Sequence, residues 1–170
     1  MPPLSESQLK RINRVLAARY LIRELATRRQ MRPIPVDPRS SMQRPAMGLQ
    51  VFELQKDGAN NYKFVYRNGE TLTPPPPHGA YVWVVLPEEP GRIFCGGPLL
   101  PAPFNIDGHT SLTDRKDVLY AGELRLFNRR LLSWNHNSGH YRPNGELRHV
   151  NLIPAVRLLL PGHLFDPCST

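Results

Sequence analysis

The chain has 170 residues, of which 40% are hydrophobic and 21% are charged. This composition is typical of a folded globular protein and differs from that of a disordered chain. The length fits one domain that buries its core without help from disulfides. No run approaches the ~18 apolar residues of a membrane helix, and the N-terminus lacks the apolar stretch of a cleaved signal peptide. We therefore expect a protein that is made in the cytoplasm, has no transmembrane segment and, if secreted, uses a route without a cleaved signal peptide.

The positive charge is concentrated at the N-terminus. The formal net charge is +8, and residues 1–32 contribute +6 of it through eight Lys or Arg residues and two Glu residues. A net charge of this size is typical of proteins that bind nucleic acids. Here it belongs to an N-terminal arm, and the rest of the chain is nearly neutral.

Residues 1–32 are predicted to form a basic helical arm. Ser5 and Gln8 have the spacing of a capping box, which begins a helix. Apolar residues then recur every three or four positions, at Leu9, Ile12, Leu16 and Tyr20. One face of the helix is therefore apolar. Pro33 ends it, because proline has no backbone N–H to donate within a helix.

Four roles are open for the helix over residues 5–32. Its arginines can bind the phosphates of RNA or DNA. Its basic and apolar residues together suit an anionic membrane surface or a groove on a partner protein. Alternatively, the apolar face packs on the domain while the charged residues face water. A mitochondrial presequence is disfavoured by Glu6 and Glu24, because such sequences are poor in acidic residues.

The rest of the chain is predicted to be a linker, residues 33–48, followed by a single β-rich domain, residues 49–170. Short apolar segments between turn residues indicate strands. The predicted strands are Leu49–Gln55, Tyr62–Arg67, Tyr81–Leu86, Arg92–Cys95, Val118–Phe127 and Leu131–Asn135, with Ala155–Leu160 as a final strand. The fold class is therefore α+β, a mainly antiparallel β domain preceded by one basic amphipathic helix.

The chain contains two cysteines, Cys95 and Cys168. Cys95 lies in an apolar segment and is expected to be buried, whereas Cys168 is close to the C-terminus and can remain a free thiol. No C-x-x-C spacing indicates a zinc site, so we expect no metal.

Residues 107–143 contain four short motifs. They are His109-Thr110-Ser111, Ala121-Gly122, Asn128 at a hairpin turn, and Ser138-Gly139-His140-Tyr141-Arg142-Pro143. This combination resembles a module found in bacterial effector and polymorphic-toxin proteins and in plant IQ-motif calmodulin-binding proteins. The Ile-Gln pair followed by Arg-Gly is absent here, so calmodulin binding is not carried over. The resemblance implies a bacterial secreted effector or toxin-type domain.

The candidate catalytic residues are His109, His140 and Ser111. Imidazole titrates near neutral pH, so two facing histidines can act as general base and general acid, and Ser111 can act as a nucleophile. The candidate substrate-binding residues are Thr110, Ser138, Gly139, Tyr141, Arg142 and Glu123.

Two of these binding residues indicate a class of substrate. Arg142 can hold a phosphate or a carboxylate through two hydrogen bonds, and Tyr141 can stack on a base or a nicotinamide ring. The same motif also has an architectural interpretation. In this interpretation a histidine bonds a backbone carbonyl and the tyrosine packs beneath the turn.

Three functions are open at this point. The first is an enzyme that acts on a nucleotide-type small molecule without a cofactor, either by ADP-ribosyl transfer with NAD as the substrate or by phosphodiester cleavage. The second is a non-catalytic module that binds a ligand or a protein of a host or competitor. The third is nucleic-acid binding through the basic helix, which the nearly neutral domain disfavours.

Overall fold

The computed structural model of the protein describes residues 5–58, 60–69 and 71–167, with the backbone alone of residues 24, 25 and 27–29. Cys168 lies outside the described residues. The predicted N-terminal helix is confirmed as α1 (Glu6–Gln30). Its first turn is capped as expected, because the Gln8 amide donates to Ser5 Oγ at 3.3 Å and the Ser5 amide donates to Gln8 Oε1 at 2.8 Å.

Six strands form one antiparallel sheet that curls into a half-barrel, in the order β2-β1-β4-β3-β5-β6. The strands are β1 (Phe52–Lys56), β2 (Tyr62–Tyr66), β3 (Gly79–Leu86), β4 (Glu89–Gly96), β5 (Tyr120–Phe127) and β6 (Arg130–Trp134). The shorter helices are α2 (His109–Thr113), α3 (Arg148–Asn151) and α4 (Pro154–Leu159). The predicted α+β class, with a mainly antiparallel β domain after one helix, is confirmed.

Both faces of the sheet are covered, and this explains the apolar run in β3. Alternate side chains of a strand point to opposite faces, and every residue of Tyr81–Leu86 is buried. The aromatic face carries a core that includes Phe52 and Trp83. The aliphatic face carries a second core that includes Val84 and Leu112, the latter from α2. Cys95 is fully buried on the aromatic face, as predicted.

The strand predicted over Ala155–Leu160 is wrong, because this segment forms α4. Pro154 takes the first helical position, where a missing N–H leaves no hydrogen bond unmade. Val156 and Leu160 are four residues apart and both pack on the aromatic face. This spacing places them on one side of a helix, although the run of apolar residues also suits a strand.

Residues 33–48 are not a free linker, since they bind along the aliphatic face. Ile34 and Val118 exchange two backbone hydrogen bonds, of 2.7 and 3.0 Å. Further on, the Ala46 amide donates to the carbonyl oxygen of Ser111 at 2.9 Å. The segment therefore belongs to the folded domain and covers the first motif.

α1 extends away from the domain, and its side chains from Ser5 to Arg23 are exposed. The alternative in which the apolar face packs on the domain is therefore wrong. The point where the arm leaves the domain is held by the fully buried Asn151. Its side chain accepts from the Arg32 amide at 3.0 Å and donates to the carbonyl oxygens of Arg32 and Leu119 at 2.8 and 2.7 Å. Among the described residues, no helix is both long and apolar enough to cross a bilayer.

Candidate functional site

Three of the four sequence motifs come together on the aliphatic face, whereas Asn128 lies at the other end of β5, where its amide donates to His78 Nδ1 at 3.2 Å. The His109-Thr110-Ser111 motif forms the start of α2, and all five residues of this helix are buried. Ala121-Gly122 lies near the start of β5, and the Ser138–Pro143 motif forms the turn beyond β6. Hydrogen bonds connect these pieces, so residues distant in the sequence form a single cluster.

His109 is the centre of this cluster and is 5% exposed. Its Nε2 lies 2.8 Å from the carbonyl oxygen of Gly122. A carbonyl oxygen only accepts, so Nε2 carries the proton. Burial lowers the pKa of the imidazole to about 4, although the Gly122 bond and the charge of Glu123 oppose this shift and His140 adds to it. The ring is therefore neutral near pH 7 and acts as a hydrogen-bond donor.

Gly122 is required where β5 approaches the segment that follows β6. A Cβ at this position would overlap the backbone carbonyl oxygen of Asn135. The next residue, Glu123, exchanges hydrogen bonds with the same asparagine, because its amide donates to Asn135 Oδ1 at 2.9 Å and its carbonyl accepts from the Asn135 amide at 3.0 Å. The glycine of the Ala-Gly motif is thus explained by structure, because two backbones pass too close to each other here for a side chain.

Tyr141 has its hydroxyl group inside the aliphatic core. The hydroxyl donates to the carbonyl oxygen of Lys116 at 2.6 Å and therefore accepts from Thr113 Oγ1, also at 2.6 Å. Burial raises the pKa of this phenol. The ring is 4% exposed and packs in the core of the aliphatic face. It is not placed where a base or a nicotinamide ring can stack on it.

The turn that contains His140 is held by Ser138. Its buried Oγ accepts from the Tyr141 amide at 3.3 Å, and its carbonyl oxygen accepts from the Arg142 amide at 2.8 Å. Gly139 is exposed at the turn. His140 is half-buried, with Nε2 lying 3.2 Å from the carbonyl oxygen of Ser41, to which it donates. His140 is thus partly open to solvent, and its charge contributes to lowering the pKa of the buried His109.

Arg142 faces a carboxylate that sequence reasoning missed. Its guanidinium lies 3.6 Å from Asp37 Oδ2, and the Asp37 amide donates to the carbonyl oxygen of His140 at 2.8 Å. Hydrogen bonds from Arg39 lower the pKa of Asp37. An anionic ligand at Arg142 therefore competes with a carboxylate that stays ionised. Only contacts between distant segments reveal Asp37, since in the sequence it belongs to an irregular, proline-rich segment.

The segment of residues 33–48 contacts both Thr110 and Ser111. Thr110 donates to Gln43 Oε1 through both its amide, at 2.9 Å, and its hydroxyl, at 2.6 Å. Ser111 Oγ is buried and has no hydrogen-bond partner, so no base activates it in this structure. Gln43 is a second contact residue that sequence reasoning missed.

Glu123 is the remaining predicted binding residue, and it is half-buried. Its two carboxylate oxygens accept from the side-chain amides of Asn137, at 3.3 Å, and Asn135, at 3.4 Å. Glu123 is thus a second carboxylate of the cluster beside Asp37, and its charge acts on the neutral imidazole of His109. Across residues 5–58, 60–69 and 71–167, no group of three His, Cys, Asp or Glu side chains is arranged to hold a metal ion.

A surface cavity of about 150 Å³ lies beside the loop that leads into α2. The ion pair between Arg44 and Asp107, with 3.0 Å between nitrogen and oxygen, forms part of its wall. The other lining residues are Pro45, Met47, Gln50, Asn105 and Ile106. None of the predicted catalytic or binding residues lines this cavity.

No protein-family model matches the chain, and no curated protein or solved structure shows significant similarity to it. The resemblance of residues 107–143 to the effector module therefore stays a prediction.

Proposed function

We propose that this protein is a non-catalytic binding module, in which the curled sheet is a scaffold and α1 engages an anionic partner. The observation that carries this proposal is the exposure of α1. Leu9, Leu16 and Tyr20 are 45–57% exposed, so the domain does not bury them. Apolar side chains left in water along a helix are typical of an interaction surface.

The charge of α1 favours an anionic partner. The helix holds seven Lys or Arg residues and two Glu residues in 25 positions. Of the described ion pairs within it, one joins Lys10 to Glu6 at 2.7 Å. The positive charge of the helix therefore greatly exceeds what its own acidic residues neutralise, and an anionic partner gains from it electrostatically.

The motif cluster supports a scaffold more than a catalytic centre. A general base that works near neutral pH has to be accessible and has to titrate there. His109 is buried with a pKa of about 4, and Ser111 has no base within hydrogen-bonding distance. The nucleotide-directed enzyme and the effector setting remain hypotheses, and no contact in the cluster favours them over binding.

The proposal is tested with the full-length protein on a polyanion matrix such as heparin. We expect salt-dependent retention of the wild type. Replacing Lys10, Arg11 and Arg14 by Gln should move elution to clearly lower salt. A matched triple variant, in which the exposed domain residues Lys116, Arg125 and Arg130 are replaced by Gln, loses the same charge and should elute close to the wild type. Equal effects of the two variants would show that α1 has no special role.

A further inference from the structure

One face of α1 between residues 9 and 20 carries no charge. A helix turns by about 100° per residue, so side chains three and four positions apart share a face. Four apolar side chains fall within an arc of about 80°. They are Leu9, Ile12, Leu16 and Tyr20, with exposures of 46%, 42%, 57% and 45%. We name these four residues the uncharged stripe, and it is about 16 Å long.

Basic side chains lie at the sides of the uncharged stripe and on the far side of the helix. Lys10 lies about 120° from the centre of the stripe, and Arg11 and Arg14 lie about 140° and 160° from it. Arg19 lies beside it, and Arg23 follows it one turn beyond its last residue. All five are exposed. The long aliphatic stems of Lys and Arg allow their charged ends to reach the level of a polar surface while an apolar face is buried.

This arrangement distinguishes between the anionic partners that a basic helix can have. Nucleic acid would neutralise the basic side chains but leave the uncharged stripe in water. A protein groove that encloses the helix would also have to bury its other side, where Leu21 and Ile22 stand among basic residues. A bilayer surface covers a single face, and its anionic headgroups meet the cations at the sides and the end of this face, which are Lys10, Arg19 and Arg23.

We infer that α1 lies on the surface of an anionic lipid bilayer, with the uncharged stripe turned toward the acyl chains and with Lys10, Arg19 and Arg23 at the headgroups. This inference rests on the proposed function and names its partner. The helix is accessible for such contact, because the side chains from Ser5 to Arg23 are exposed and the arm is held to the domain at its C-terminal end by Asn151. The domain then stays in water beside the membrane.

The decisive experiment compares two leucines of equal exposure. Leu16 belongs to the uncharged stripe and Leu21 lies on the opposite side of the helix, and each is 57% exposed. Leu16→Gln and Leu21→Gln therefore make the same chemical change on different faces. Each full-length protein is sedimented with phosphatidylcholine vesicles that contain or lack phosphatidylserine, and circular dichroism verifies equal helicity. Leu16→Ala and Leu21→Ala, which preserve helix propensity, form a second matched pair.

We expect the wild type to sediment with the phosphatidylserine vesicles only. Leu16→Gln should weaken this binding about tenfold, because an apolar side chain no longer enters the membrane interface. Leu21→Gln should bind like the wild type. Equal losses in both variants would overturn the inference, because the uncharged stripe would then not be the face that enters the bilayer. No loss in either, together with tighter binding to single-stranded RNA than to vesicles, would overturn it in favour of nucleic acid.

A wild-type protein that ignores the vesicles but is retained on heparin through Lys10, Arg11 and Arg14 would overturn the bilayer inference and leave the proposed function in place. Failure in both assays would overturn both. The two proposals are thus tested separately with the same preparation of protein.

Discussion

His109 Nε2 donates to the carbonyl oxygen of Gly122 at 2.8 Å, and this bond ties the buried helix α2 to strand β5. The bond joins the first motif of the cluster to the second. Tyr141 and Thr113 tie the last motif to the same helix at 2.6 Å. The residues that suggested an active site therefore form one hydrogen-bonded unit on the aliphatic face, and its first measurable consequence is on stability.

The protein should lose stability in mild acid because of His109. Burial lowers the pKa of this imidazole from 6.5 to about 4. Between these two pH values the imidazole of the unfolded chain binds a proton, whereas that of the native state does not. The free energy of unfolding should therefore decrease as the pH falls from 6.5 to about 4, by up to about 3 kcal/mol. Urea denaturation at several pH values measures this slope.

The control is His109→Gln, which keeps an amide donor and removes the titration. Its unfolding free energy should be lower than that of the wild type at pH 7 but should vary less between pH 6.5 and about 4. Asp37 and Asp107 also have lowered pKa values, and they contribute stability that is lost below this range. An unchanged slope in the variant would contradict the assignment to His109.

Gly122→Ala should destabilise the protein by about 3 kcal/mol or more. The added methyl group would overlap the carbonyl oxygen of Asn135, which is backbone and cannot rotate away. The matched control is Gly139→Ala in the neighbouring motif. No atom lies within 4 Å of a Cβ at Gly139, so its effect should stay within about 0.5 kcal/mol. Thermal unfolding of the two variants tests this difference, and similar melting temperatures would contradict it.

The overall architecture could be predicted because apolar segments and turn residues mark it locally. β3 is recognisable from its continuous apolar run, and α1 from its capping pair and helical spacing. α4 could not be recognised, since Val156 and Leu160 stand in a run of apolar residues that is also compatible with a strand. The position of residues 33–48 depends on hydrogen bonds with residues far along the chain, such as Val118, and no local pattern encodes these.

The candidate site was predictable as a set of residues but not in its chemistry. Three of the four motifs do meet in space, and their resemblance to a known module pointed to them, whereas Asn128 lies apart from them at the hairpin turn. Whether His109 is a catalyst or a structural donor depends on burial and on the carbonyl of Gly122. Asp37 and Gln43 contact the motif from a segment without a sequence signal. These features arise from tertiary packing, which residue spacing does not specify.

Tyr141→Phe should cost about 1–3 kcal/mol. The variant keeps the buried ring but removes the hydroxyl group. In the wild type this group lies 2.6 Å from both Thr113 Oγ1 and the Lys116 carbonyl oxygen, which lose their hydrogen-bond partner in the variant. Tyr20→Phe removes the same group from an exposed position on α1 and should have almost no effect. Chemical denaturation of both variants provides the comparison. Equal stabilities would mean that the buried hydroxyl contributes nothing net to the fold.

Asn151→Ala should loosen the junction between α1 and the domain. The substitution leaves three backbone groups of Arg32 and Leu119 without their partner, which should cost about 3 kcal/mol. Limited proteolysis should then cleave near Arg32 faster than in the wild type. The control is Asn137→Ala, since Asn137 is an exposed asparagine outside this junction. Unchanged cleavage near Arg32 in the Asn151 variant would show that other contacts hold the arm.

His140 allows a direct test of the catalytic hypothesis. If the protein is a binding module, the purified wild type should consume no more NAD than a protein-free blank. Its expression in bacteria and yeast should also cause no growth arrest that depends on His140. His140→Ala removes a half-buried side chain that bonds to the carbonyl oxygen of Ser41 at 3.2 Å, so a small loss of stability, about 1 kcal/mol, is expected. Growth arrest or NAD turnover that the wild type shows and a folded His140→Ala variant lacks would contradict the binding module. The loss of a side chain needed only for structure should not abolish a reaction while the fold persists.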